Sequence, residues 1–98
     1  MWRHGDVLIS KIDKLPPYLR KRHGNVLVTG EVTGHSHQLM EMGNFNLFED
    51  DQFIYIDIFK EKATLIHEEH KPIELQKGQY KVWVQREYTP KEIVKIRD

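Results

Sequence analysis

The segment from Phe53 to Phe59 constrains the fold most, because Ile54, Ile56 and Ile58 alternate there with Phe53, Tyr55, Asp57 and Phe59. A period of two puts the isoleucines on one face of a strand and a mixed aromatic and polar set on the other. Gln79 to Tyr88 follows the same logic, with Tyr80, Val82 and Val84 inward and Lys81, Trp83, Gln85 and Glu87 outward. Asp6 to Ile12 and Asn25 to Val32 are also short, rich in β-branched residues, and bounded by glycine, proline or charge. Further strands are expected at Gln38 to Met42, Ala63 to His67 and Ile93 to Ile96, the last with a short helix after Pro90 as its alternative. Only Pro16 to Arg22 is helix-like, since proline is tolerated in a first helical turn. The expected fold is all-β and mainly antiparallel, a small β-barrel or sandwich with at most one short helix. Such architectures limit exposed strand edges.

A chain of 98 residues, 39% of them hydrophobic, has room for one core, so residues 1–98 are read as a single β domain. A domain this small gains burial by self-association, which makes a homodimer the expected state. Fifteen basic residues balance fifteen acidic ones, so no global field draws in a nucleic acid and a groove for duplex DNA is not expected. The absence of cysteine removes disulfides, thiolate metal sites and thiol nucleophiles together. The start, Met-Trp-Arg-His-Gly-Asp, has no apolar leader, and no apolar run approaches the ~20 residues of a spanning helix. The expectation is a cytoplasmic protein with no membrane partner.

Two histidine-bearing segments stand out. In Gly30-Glu31-Val32-Thr33-Gly34-His35-Ser36-His37 the two glycines bracket a turn, and in an extended chain His35 and His37 share a side. Two imidazoles on one face can hold a metal, or divide acid and base work around a phosphate while Thr33, Ser36 and the backbone at Gly34 donate to oxyanions. A polar surface hairpin is the plain alternative. In His67-Glu68-Glu69-His70, strand spacing pairs His67 with Glu69, whereas a turn of helix pairs His67 with His70. Both remain open at this point, as does a solvated acidic turn.

Gln85-Arg86-Glu87-Tyr88 ends an apolar strand with an amide, a guanidinium and a phenol. Arg86 shares parity with Val84 and suits either a phosphate or a structural carboxylate. Arg20-Lys21-Arg22-His23 could steer an anion, although a solvated loop explains it better. Trp2, Tyr18 and Trp83 could stack a base, but in so small a domain aromatics more often serve the core or an interface.

His35-Ser36-His37 followed by Glu41 is similar to the first metal motif of the cupins, a β-barrel family. That resemblance implies a divalent transition metal on His35, His37, Glu41 and His67 or His70, a donor set suited to iron, manganese, nickel or zinc. The chain departs from the cupin pattern in placing Gly43 two residues after Glu41 and in lacking Pro-x-Gly within Lys62 to Ile66.

A second resemblance spans most of the chain. His4-Gly5-Asp6-Val7-Leu8, the Gly30 to His37 segment, His67-Glu68-Glu69-His70-Lys71-Pro72-Ile73 and Gln85-Arg86-Glu87-Tyr88 look like a family of small bacterial and phage proteins. That family is associated with the CRISPR ring nucleases, which degrade the cyclic oligoadenylate messengers of type III CRISPR defence. The resemblance implies a homodimeric hydrolase that cleaves a cyclic oligonucleotide ligand with no cofactor. His35, His37, His67 and His70 would then be the catalytic set, and Thr33, Gly34, Ser36, Gln85, Arg86 and Tyr88 would bind the ligand. A non-catalytic ligand-binding or interaction module is the third reading.

Overall fold

The computed structural model describes residues 1–29 and 36–84 in full and the main chain of 86–88 and 93–95. The strands are β1 (Trp2–His4), β2 (Val7–Ile12), β3 (Arg20–Arg22), β4 (Val26–Thr29), β5 (Ser36–Leu39), β6 (Phe45–Glu49), β7 (Ile54–His67), β8 (His70–Val84), β9 (Arg86–Tyr88) and β10 (Ile93–Lys95). The architecture is all-β, and the described residues contain no helix. Strands β1 to β8 form one antiparallel sheet with the path β1-β2-β8-β7-β5-β4, from which β6 branches onto β7 and β3 onto β6. β9 and β10 pair separately, with Arg86 opposite Lys95 and Tyr88 opposite Ile93.

β7 and β8 organise the molecule. They pair along their lengths, from Ile54 opposite Val82 to His67 opposite His70, with register shifts after Ile58 and after Leu65. On its other edge β7 takes β6 against Ile54 to Ile58, then β5 against Leu65 and Ile66. Irregular register bends a strand and increases its twist. The sheet curls into a half-barrel.

The concave face carries the core. Ile56 and Ile58 of β7, Tyr80 and Val82 of β8, Val7 and Ile9 of β2, and Leu39, Leu47, Leu65 and Leu75 are all at most 2% exposed. Each fully buried aliphatic side chain contributes roughly 1.5–3 kcal/mol. Ile56, Ile58, Tyr80 and Val82 are buried as the alternation predicts, but Ile54 and Val84 are only partly buried, and Tyr55, expected on the other face, is buried as well. Lys60-Glu61-Lys62, which separates two expected strands, instead lies within one continuous β7 across the first register shift.

The helix expected over Pro16 to Arg22 does not form. Tyr18 sits at φ 65°, outside the right-handed helical region. Arg20–Arg22 is pulled into the sheet as β3, opposite Glu49, Phe48 and Leu47. The cations there are also engaged. Arg22 bonds Glu49 at 3.2 Å and the Val26 carbonyl at 2.9 Å, and Arg20 lies 3.3 Å from Asp51.

Candidate functional site

Two tight turns and one strand bring distant histidines together. His67 ends β7, Glu68 and Glu69 form a two-residue turn, and His70 starts β8, so the two histidines are cross-strand partners. This hairpin replaces both spacings considered from the sequence. His37 lies on β5 next to Gln38, which pairs with Ile66 of β7, and this sets His37 beside His67. His4 ends β1 opposite Val7, with Gly5 and Asp6 forming the turn between them. Gly5 has φ 66° and packs tightly against His70, where an added methyl would stand 2.5 Å from Nε2. Only glycine meets both demands.

The four rings form a cluster. Centroid distances are 4.3 Å for His37 and His67, 4.6 Å for His67 and His70, 5.0 Å for His4 and His37, and 5.3 Å for His4 and His70. The longest are 6.0 Å for His4 and His67 and 6.1 Å for His37 and His70. His37 is fully buried, His4 is 2% exposed and His67 8%, while His70 is half-buried. Asp6, 5% exposed, holds Oδ1 3.9 Å from His37 Nε2.

Hydrogen-bond partners assign the protons. His4 Nε2 lies 2.9 Å from the Lys71 carbonyl, which can only accept, so His4 donates there and neutral His4 accepts at Nδ1. That Nδ1 lies 2.9 Å from His37 Nδ1, which is therefore the donor. His67 Nδ1 accepts the Glu69 main-chain N–H at 3.0 Å and keeps its proton on Nε2, 4.0 Å from Glu68 Oε2. His70 Nε2 is buried with no hydrogen-bond partner. Burial holds His37 down to about 4, helped by its His67 and His4 neighbours and opposed by Asp6. Burial also lowers His4, against the opposing Lys71 hydrogen bond. Both are neutral at physiological pH.

Of the expected catalytic set, the fold thus gathers His37, His67 and His70. His35, with Thr33, Gly34 and Gln85, lies outside the described residues. Ser36 begins β5 and accepts a hydrogen bond from Gln38 Nε2 at 2.7 Å. Arg86 and Tyr88 are described in their main chain only, on β9. Glu41, expected as a metal ligand, is committed elsewhere: Oε1 accepts the Thr64 N–H at 3.0 Å and Oε2 the Thr64 hydroxyl at 3.2 Å. Among the described residues, no three or more His, Asp or Glu side chains stand in metal-holding geometry. Trp2 packs edge-on against Tyr80 at 5.6 Å, a core role.

His4 and Asp6 are the members that sequence reasoning missed. A lone histidine in a three-residue strand has no spacing partner. The available signal was the turn His4-Gly5-Asp6-Val7, which has the same layout as His67-Glu68-Glu69-His70, with a histidine on the flank and two turn residues.

Residues 3–85 match the model of a family described as Domain of unknown function (DUF8820). The chain belongs to that family. The DUF8820 span runs from β1 to the end of β8 and contains His4, Asp6, His37, His67 and His70, so the whole cluster lies within the family's domain. The comparisons with curated proteins and with solved structures give no match.

Proposed function

We propose that this DUF8820 chain binds a divalent transition-metal ion in the histidine cluster. The spacing of the imidazoles carries the reading. Their centroids lie 4.3 to 6.1 Å apart, and four imidazoles bonded tetrahedrally to one ion at ~2.0–2.1 Å have centroids about 5 Å apart. The nitrogens turned away from the centre agree with it. His4 Nε2 donates to the Lys71 carbonyl, and His37 Nε2 lies 3.9 Å from Asp6 Oδ1. Metal-ligating histidines give their remote nitrogen to such a carbonyl or carboxylate.

The inner nitrogens of His4 and His37 lie 2.9 Å apart, closer than the ~3.3 Å between two donors of a tetrahedral ion with bonds of ~2.05 Å, so these rings must separate slightly to share one. The proton between them is what a cation displaces, since metal binding releases protons. Completing the donor set takes rotation of rings about χ2, a soft torsion for histidine. Imidazole donors favour zinc, copper, nickel or iron over magnesium or calcium. Acid and base cleavage of a cyclic oligoadenylate by the same rings would require them open to a phosphate. The full burial of His37 therefore gives the metal reading stronger support. The ligand set differs from the cupin-like one in admitting His4 and omitting Glu41.

Calorimetric titration of chelator-treated protein with zinc, nickel and copper tests this. One ion per chain is expected, with His4→Ala and His37→Ala weakening it at least tenfold while circular dichroism confirms folding. No binding of any of the three ions by the parent protein would overturn the proposal.

A further inference from the structure

We infer that the convex face of the sheet binds single-stranded nucleic acid, with bases stacked on Phe48, Phe53 and Trp83 and phosphates met by Lys21 and Lys81. The strand registers put these groups on one side. Lys21 of β3 stands opposite Phe48 of β6, Phe48 opposite Tyr55 of β7, and Tyr55 opposite Lys81 of β8. Directly opposed residues share a face, so this row crosses four strands on the side away from the buried isoleucines. Trp83 lies two residues beyond Lys81 on the same side. The Phe53 ring meets Trp83 edge-on at 6.5 Å and Tyr55 at 6.3 Å. None of these four aromatics belongs to the concave core. Tyr55 is buried at their centre, while Phe48, Phe53 and Trp83 each keep part of their surface exposed.

Charge selects the occupant. Lys81 Nζ lies 4.6 Å from the centre of the Phe53 ring and 5.3 Å from that of Trp83, so the ammonium rests on π faces. Among the described residues, neither Lys81 nor Lys21 pairs with a carboxylate. The nearby acids are engaged elsewhere. Glu49 holds Arg20 and Arg22, and Asp50 accepts the Gln52 and Phe53 N–H groups and the Tyr55 hydroxyl. Asp57, opposite Asn46 and Gln79, stands at the margin of the row. An apolar protein partner would bury two ammonium groups without counter-charges, a costly arrangement. A single strand supplies both phosphates for the lysines and π faces for the rings. The cation–π hold on Lys81 is weak at a partly exposed site, so its ammonium can pass to a phosphate as a base stacks. Four strands span about 14 Å, room for two or three bases. Paired bases inside a duplex offer no free face to such rings.

The inference is independent of the histidine cluster, and its test uses the full chain with labelled oligo(U) and oligo(dT) of about twelve nucleotides. Saturable binding at low salt is expected, with quenched tryptophan fluorescence and a duplex of equal length competing at least tenfold less well. Trp83→Ala should weaken binding at least fivefold, with circular dichroism confirming the fold. Lys81→Gln should flatten the slope of log K against log salt by about 0.7, the value for one phosphate of a single strand. Lys71→Gln, an exposed site at the far end of β8, should change neither. No binding of either oligomer, equal affinity for duplex and single strand, or equal losses in Trp83→Ala and Lys71→Gln would overturn the inference. So would a dimer that Trp83→Ala dissociates without any oligonucleotide binding, which would assign the face to a second copy of the chain.

Discussion

Substituting Gly5 isolates the closest packing in the cluster. Alanine at this position meets two separate penalties. The first is the left-handed backbone, φ 66°, which costs a non-glycine residue roughly 1–2 kcal/mol. The second is the new methyl, which would lie 2.5 Å from His70 Nε2, 3.1 Å from Cδ2 and 3.2 Å from Cε1. Relieving such a contact requires the His70 ring to move, and overpacking of this kind costs about 1–3 kcal/mol. The expected destabilisation of Gly5→Ala is the sum, about 2–5 kcal/mol. Gly24→Ala is the internal reference, because Gly24 has φ 82° with nothing within 4 Å of an added methyl. It should show the backbone penalty alone. Urea unfolding of both variants, followed by tryptophan fluorescence, gives the difference directly. In a His70→Ala background the excess cost of Gly5→Ala should vanish, a coupling of about 1–3 kcal/mol. Equal losses for Gly5→Ala and Gly24→Ala, or no coupling to His70, would refute the packing described for the cluster.

Acidification of the chelator-treated protein provides a second check. His37 is held near 4 in the fold against 6.5 unfolded, so below pH 6.5 the unfolded chain takes up a proton that the native state refuses. Stability should fall by roughly 3 kcal/mol between pH 6.5 and 4 and level off below, and equal denaturant midpoints at pH 7.5 and 4.5 would contradict this. Leu65→Ala, at a fully buried position on β7, should cost about 2–5 kcal/mol by thermal or urea unfolding, whereas a loss below 1 would mean the half-barrel core lies elsewhere. Glu41→Ala removes both acceptors of Thr64 and should cost about 1–3 kcal/mol; Thr64 amide exchange as slow as in the parent would argue against that contact.

The strands were legible wherever burial alternates. Ile54, Ile56 and Ile58, and Tyr80 with Val82, needed only a period of two to be assigned to the concave face. Less was legible where tertiary pairing overrides local pattern. Lys60-Glu61-Lys62 reads as a break, yet β7 crosses it because β8 pairs along the other edge and the register shift absorbs the mismatch. Arg20–Arg22 reads as a loop of free charge, but Glu49 and Asp51, distant in the sequence, draw it into the sheet. The site was half visible. His37, His67 and His70 sit in segments whose histidine density is plain in the sequence. His4 joins only because the curled sheet brings β1 to the tip of the β7–β8 hairpin, a long-range juxtaposition that no local spacing encodes. Glu41 illustrates the converse error, since its spacing from His37 suggests a ligand but its carboxylate is occupied by a neighbouring strand.

Zinc K-edge X-ray absorption on the zinc-loaded protein tests the central claim most directly. A nitrogen-dominated first shell at about 2.0–2.1 Å is expected, with the outer-shell scattering of imidazole from at least three histidines, lost in His4→Ala. A first shell of oxygen alone without imidazole scattering, or a spectrum unchanged in His4→Ala, would contradict it.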